Sequence, residues 1–112
     1  MPSSKTDTML FRTLILNQLR QQPGTVVQIT AFLEHCIRPE VARRFYHSMI
    51  TKQQERNARR KLKTTNDVTE QIHLGIREMV RREVYELNNA GKIHAVGGKR
   101  YKANCPTIWA AL

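Results

Sequence analysis

Lysine and arginine are the side chains in this sequence whose number and spacing suggest a chemical role. The 112 residues include 19 Lys and Arg against 9 Asp and Glu, which gives a formal net charge of +10. Excess positive charge attracts polyanions, and nucleic acid is the most abundant polyanion inside a cell. The chemistry indicated is therefore the binding of phosphate by ammonium and guanidinium groups.

The charge is concentrated in two stretches of the chain. Residues 38–63 hold nine basic and two acidic residues, and residues 92–112 hold four basic residues and no acidic one. Residues 1–37 have a net charge of +1, and residues 64–91 have a net charge of −2. This distribution predicts two separate basic surfaces.

Groups that would support catalysis are absent from the sequence pattern. The histidines and cysteines show no His-x-x-x-His or Cys-x-x-Cys spacing of the kind that zinc sites use. Gly97-Gly98 lacks the helix and lysine that follow a phosphate-binding loop. Cys36 lies on an apolar stripe, so we expect a buried structural thiol. We expect no enzyme activity, no cofactor, no metal and no small-molecule ligand.

The sequence also predicts the compartment. No apolar run approaches the roughly 20 residues that span a bilayer. The N-terminus shows no apolar segment followed by a small-residue cleavage site. We expect a cytoplasmic protein with reduced thiols, associated with the nucleoid if the source is prokaryotic, and no membrane partner.

The apolar spacing predicts helices in the first third of the chain. A first helix begins at Asp7 or Thr8 and ends at Pro23-Gly24, because proline and glycine interrupt helices. Its buried face is Leu10, Phe11, Leu14, Ile15 and Leu19. Val26-Val27 is predicted as a short strand. The second helix then buries Ile29, Phe32, Leu33 and Cys36.

A basic helix or arm is predicted over residues 39–63. Pro39 suits the first turn of a helix, and Val41, Phe45 and Met49 recur at four-residue intervals. Beyond Ile50 the residues are mostly polar helix formers, so the helix projects from the body or frays. The basic side chains of this part are expected to contact phosphate: Lys52, Arg56, Arg59, Arg60, Lys61 and Lys63.

The longest apolar pattern predicts a helix over residues 68–90, capped by the polar segment 64–67 and ended by Gly91. Its apolar positions are Val68, Ile72, Ile76, Met79, Val80, Val84 and Leu87. A turn near Gly75 would instead divide it into two helices. Residues 92–103 form a predicted β-hairpin around Gly97-Gly98, and residues 104–112 form an apolar tail.

Residues 76–101 resemble the end of a winged helix-turn-helix domain, in which a helix of the form Val-Arg-Arg-x-x-x-x-Leu-x-x-x-Gly-x-Ile continues into a basic hairpin, the wing. The matching residues are Val80, Arg81, Arg82, Leu87, Gly91 and Ile93, with Gly97, Gly98, Lys99 and Arg100 at the wing tip. The first helix, the Val26-Val27 strand and the second helix also follow the order of that family. The long basic segment between residues 37 and 66 departs from it.

The resemblance implies a recognition helix in the major groove of DNA and a wing on adjacent backbone. The side of helix 68–90 opposite the apolar stripe would carry Gln71, Gly75, Glu78, Arg82 and Tyr85, flanked by Arg77 and Arg81. Arg82 would then contact guanine and Gln71 adenine, while Arg77 and Arg81 would hold phosphates. The wing side would add Lys92, Lys99, Arg100 and Lys102.

Two alternatives stay open for this helix. Arg81 and Arg82 lie among Glu78, Glu83 and Glu86, so they could form ion pairs on a solvated face instead. The helix-turn-helix pair could also be residues 28–36 together with the helix that begins at Pro39.

The sequence therefore predicts a single domain over residues 1–112, mainly α with a small C-terminal β-hairpin: a winged helix with a long inserted basic helix. The predicted function is a sequence-specific regulator that binds double-stranded DNA as a homodimer, with helix 40–62 or the Trp109 tail as the dimer contact. The alternatives are an RNA- or ribosome-associated basic protein and a winged-helix adaptor for other proteins.

Overall fold

The computed structural model describes residues 5–56, 64–98 and 106–112, and within them it contains four helices and two strands. In chain order they are α1 (Lys5–Gln21), α2 (Val26–Glu34), α3 (Pro39–Arg56), α4 (Val68–Asn89), β1 (Ile93–Gly97) and β2 (Ile108–Ala111). The chain is mainly helical with a small antiparallel sheet at its C-terminus, as the sequence predicts.

Thr25 begins α2 with a reciprocal pair of hydrogen bonds. The Gln28 backbone N–H donates to the Thr25 hydroxyl at 3.3 Å, and the Thr25 backbone N–H donates to Gln28 Oε1 at 2.9 Å. A cap of this kind stabilises a helix by about 1 kcal/mol. Val26 and Val27 consequently form the first turn of α2, and the prediction of a strand there is wrong.

At the end of α2, Ile37 is the buried residue in place of the predicted Cys36. The helix ends at Glu34, and the tight turn that follows leaves Cys36 exposed. Ile37 is buried instead, and its backbone N–H donates to the Leu33 carbonyl at 2.9 Å. The prediction of a buried Cys36 is wrong because it extended helical spacing past the point where the chain turns.

One hydrophobic cluster receives side chains from all four helices and both strands. Its most deeply buried members are Phe11, Ile15, Ile29, Leu33, Ala42, Phe45, Ile76, Val80 and Ile93. The rings of Phe11 and Phe45 meet edge to face with centroids 5.5 Å apart. This edge-to-face geometry adds roughly 1 kcal/mol to the free energy of burying their surface.

Helix α4 is continuous, so the alternative of two shorter helices is excluded. The carboxylate of Asp67 caps it by accepting from the Glu70 backbone N–H at 3.0 Å. After α4, Gly91 adopts a φ of +71°, a conformation that glycine adopts without steric cost. Both ends of this helix therefore follow the predicted boundaries. The predicted apolar face differs at its start, because Val68 is exposed.

Gly75 lies where α3 and α4 approach most closely. A Cβ atom at this position would lie 2.3 Å from the carbonyl oxygen of Ala42 and 3.1 Å from the backbone nitrogen of Tyr46. Both of these atoms belong to the backbone of α3, so they cannot move aside as a flexible side chain could. The absence of a side chain at Gly75 permits this packing.

The partner of β1 differs from the predicted one. β1 pairs with β2, with Ile93 opposite Ala111 and Ala95 opposite Trp109, and a bulge lies between Ala95 and Gly97. The predicted partner, residues 99–103, lies outside the described residues. The pairing with residues 108–111 is favoured because it places the apolar side chain of Trp109 in the core.

Trp109 also joins β2 to the segment between α1 and α2. The Gly24 N–H donates to the Trp109 carbonyl at 2.9 Å, and the Trp109 N–H donates to the Gly24 carbonyl at 2.8 Å. The Trp109 side chain is 8% exposed. The tail folds back on the body as predicted, and its tryptophan packs in the core.

We predict that Gly75→Ala destabilises the protein by about 2 kcal/mol, because the added methyl group overlaps the backbone of α3. Helix propensity alone would give the opposite sign, a gain of about 1 kcal/mol. Urea unfolding followed by circular dichroism measures the difference. Gly91→Ala is the matched control: its Cβ meets no atom within 4 Å, so only the backbone cost of roughly 1 kcal/mol remains. Stabilisation by Gly75→Ala would contradict the close packing.

Candidate nucleic-acid interface

The second half of α4 presents arginines to solvent. Arg77, Arg82 and Tyr85 are exposed and Arg81 is partly exposed. We refer to these four residues as the arginine face. The opposite side of the helix is buried as predicted, and its residues are Ile76, Met79, Val80, Val84 and Leu87. The core thus holds α4 so that the arginine face points outward.

Glu83 does not belong to this surface. Its carboxylate accepts a hydrogen bond from Arg12 Nε of α1 at 2.7 Å, and its side chain is 4% exposed against 44% for Arg12. A buried carboxylate without such a partner would be costly. Glu83 lies about 160° around the helix from Tyr85, so α1 packs on the side of α4 away from the arginine face.

Residues 64–91 have a net charge of −2, yet they present a positive surface. The positions of their other acidic residues explain this difference. Asp67 caps α4, and Glu70 accepts a hydrogen bond from the Thr65 hydroxyl at 3.1 Å, both at the start of the helix. Over residues 77–89, three arginines stand against Glu78 and Glu86 as exposed or partly exposed charges. The second half of α4 is therefore positive at its surface.

The alternative of ion pairs holds for one arginine of the face. Arg81 Nη1 lies 3.4 Å from Glu78 Oε1, one turn away. In the part of the chain that the structure describes, neither Arg77 nor Arg82 forms an ion pair, even though Glu86 follows Arg82 by four residues. These two arginines keep their charge available for another molecule.

Gln71 does not lie on the exposed side as predicted. Its side chain is buried, with a relative exposure of 6%. Gln71 Oε1 accepts from Arg43 Nε at 3.2 Å, and Gln71 Nε2 donates to the Thr65 carbonyl at 2.8 Å. Gln71 therefore offers no exposed amide for the predicted contact with adenine, because both ends of its amide are engaged inside the protein.

Helix α3 is the cause of this difference. It covers the side of α4 that carries Gln71 and Gly75, so Gly75 is buried as well, although the spacing predicts it on the exposed side. Helical periodicity identifies the side of α4 that faces α1 and α2, but it contains no information about a third helix packing on the polar side. On the side of α4 opposite the apolar stripe, the open part therefore begins at Arg77.

The structure describes two of the other basic residues that are predicted to contact nucleic acid. Lys52 on α3 and Lys92 between α4 and β1 are both exposed. The backbone of Lys92 joins α4 to β2, since its N–H donates to the Leu87 carbonyl and its carbonyl accepts from Leu112 N–H. The remaining predicted contacts lie outside what the structure describes, and they are the side chain of Arg56 together with Arg59, Arg60, Lys61, Lys63, Lys99, Arg100 and Lys102.

Sequence reasoning missed Arg43, an exposed residue on α3 that lies beside α4. It was counted within the basic stretch 38–63 but not separated from it, because its position depends on how α3 packs. The available signal was the pair Arg43-Arg44, which interrupts the apolar residues Ala42 and Phe45.

A shallow pocket of about 530 Å³ lies at the other end of α4. It is lined by Glu34, Asp67, Thr69, Glu70, Ile72 and His73. Glu34 of α2 and His73 of α4 form a side-chain hydrogen bond there. Within residues 5–56, 64–98 and 106–112, no group of three or more His, Cys, Asp or Glu side chains is arranged to hold a metal ion. None of the described helices is both long enough and apolar enough to cross a bilayer.

No family model, curated protein or solved structure matches the chain. Function is therefore inferred from the residues and contacts of the chain itself.

We predict that Arg12→Ala destabilises the protein by about 2 kcal/mol, because it leaves the buried carboxylate of Glu83 without its partner. The figure is below that for a fully buried pair because Arg12 is 44% exposed. Chemical unfolding of Arg12→Ala, Glu83→Gln and the double variant gives the coupling energy. Arg20→Ala, at an exposed position on the same helix, should change stability by less than about 0.5 kcal/mol. Equal effects of Arg12→Ala and Arg20→Ala would rule out a structural role for the pair.

Proposed function

We propose that the protein binds double-stranded DNA as a winged-helix domain and acts as a sequence-specific transcriptional regulator. The observation that carries this proposal is the arginine face, in which three arginines line the open half of one helix while Glu83 is turned into the protein. A positive helix face of this kind fits the major groove, which admits one α-helix between two rows of phosphates.

The order of the elements supports the winged-helix assignment. α4 continues through Gly91 into β1, and β1 pairs with β2 in the manner expected of a wing. The bridge between Gly24 and Trp109 adds a short extended segment between α1 and α2. It occupies the place in the chain where the resembled family has its first strand. The chain departs from the family at α3, which lies between α2 and α4 in the sequence.

The position of α3 defines the part of α4 that enters the groove. Because α3 covers Gln71 and Gly75, the contact is made by residues from Arg77 onward, which extend toward β1. Residues 77–89 extend about 18 Å along the helix axis, enough to cross a groove about 12 Å wide. Arg82 is the proposed contact to guanine, and Arg77 and Arg81 contact phosphate.

The first test is binding to random-sequence duplex DNA over a range of salt concentrations, measured by fluorescence anisotropy. We expect log affinity to fall linearly with log salt, with a slope of about −0.9 for each phosphate contacted. Single-stranded RNA of the same length should bind more weakly. No binding at low salt would overturn the proposal and favour the adaptor function. Preference for the RNA would favour the RNA-associated alternative.

The second test separates base contact from phosphate contact once a preferred site has been selected. We predict that Arg82→Ala weakens binding to the preferred site by about 1–3 kcal/mol and relaxes sequence preference at one position. Arg77→Ala, the matched variant on the same helix, should weaken binding to all sequences alike. Competition assays against single-base variants of the site measure both effects. Identical behaviour of the two variants on all sequences would eliminate base recognition by Arg82.

A further inference from the structure

Arg43 on α3 and Gln71 on α4 are joined by a side-chain hydrogen bond. Arg43 is exposed on α3, and its Nε–H donates to Gln71 Oε1 at 3.2 Å. No other described residue forms a hydrogen bond or ion pair with Arg43. The four N–H bonds on its two Nη atoms are therefore available to a ligand.

Gln71 is held firmly enough to orient this guanidinium. Its side chain is 6% exposed, and its Nε2 donates to the Thr65 carbonyl at 2.8 Å. Thr65 is fixed in turn, because its backbone N–H donates to the hydroxyl of Tyr46 at 2.9 Å, and Tyr46 is 2% exposed. A chain of hydrogen bonds through the buried Tyr46, the partly buried Thr65 and the buried Gln71 thus sets the direction of the Arg43 side chain.

The chemical identity of residue 71 is significant. A carboxylate at this position would accept the same hydrogen bond from Arg43 and neutralise its charge. The neutral amide of Gln71 accepts the bond and leaves the positive charge in place. An arginine that is oriented through Nε, uncompensated, and open at both Nη atoms is suited to bidentate contact with phosphate oxygens.

We propose that Arg43, oriented by the buried Gln71, is a binding site for one phosphate of the DNA backbone beside the arginine face. Gln71 precedes Arg77 on α4 by six residues, about 9 Å along the axis. Arg43 therefore adds a positive charge beside the first half of α4, on the side of that helix that α3 covers. This inference rests on the proposed function: Arg43 makes a backbone contact, and Gln71 acts as a positioning residue.

The experiment compares wild type, Arg43→Ala, Gln71→Glu and the control Arg20→Ala by salt-dependent binding to duplex DNA. Arg43→Ala should weaken binding roughly tenfold at low salt and reduce the slope of log affinity against log salt by about 1. Gln71→Glu should reduce the slope by a similar amount with Arg43 still present, a result that a purely structural role would not produce. Arg20→Ala should bind as wild type does.

A second measurement keeps this proposal separate from the proposed function and from any loss of folding. Inorganic pyrophosphate is titrated into labelled wild-type protein, and the side-chain Nε–H resonances of arginine are followed by NMR. A shift of the Arg43 signal, with no DNA binding, would support the phosphate site and overturn the DNA-binding function. DNA binding by wild type with unchanged affinity and slope in Arg43→Ala would overturn the phosphate site alone.

Discussion

The contact between α3 and α4 at Gly75 determines which part of α4 can meet another molecule. A side chain at this position would overlap the carbonyl of Ala42, so the two backbones can approach only because residue 75 is glycine. Their approach buries Gln71 and covers that side of the first half of α4. The same approach leaves the half that begins at Arg77 open, next to the strands. The location of the proposed interface follows from this one steric condition.

The rotation of α4 about its own axis is fixed by two independent features that agree. The apolar side chains of Ile76, Val80 and Val84 are buried toward the core. The carboxylate of Glu83, on the same side, has its partner in Arg12 of α1. A rotation that exposed part of the apolar stripe would also separate this buried ion pair, so both terms oppose it. The direction of the arginine face is therefore specified by packing and by charge together.

Features set by neighbouring residues could be predicted from the sequence, and features set by distant ones could not. The buried stripe of α4, its cap at Asp67 and the start of α3 at Pro39 depend on residues within a few positions, and all three are present. The pairing of β1 with β2 depends on Trp109 reaching Gly24 and the core. The burial of Gln71 depends on α3. The capping pair of Thr25 and Gln28 was a local signal for the start of a helix. The β-branched residues Val26 and Val27 favour a strand, and the prediction followed them instead.

The arginines around α4 differ in how far their charge is compensated by other groups of the protein. Arg12 meets a buried carboxylate at 2.7 Å, and Arg81 meets Glu78 at a looser 3.4 Å. Arg43 is held by a neutral amide, while Arg77 and Arg82 have no ion-pair partner among the described residues. Compensation is thus strongest toward α1 and weakest toward solvent. A polyanion approaching from the α1 side would meet an arginine already paired with a carboxylate, whereas one approaching the open half of α4 would meet Arg77 and Arg82, which have no ion-pair partner among the described residues.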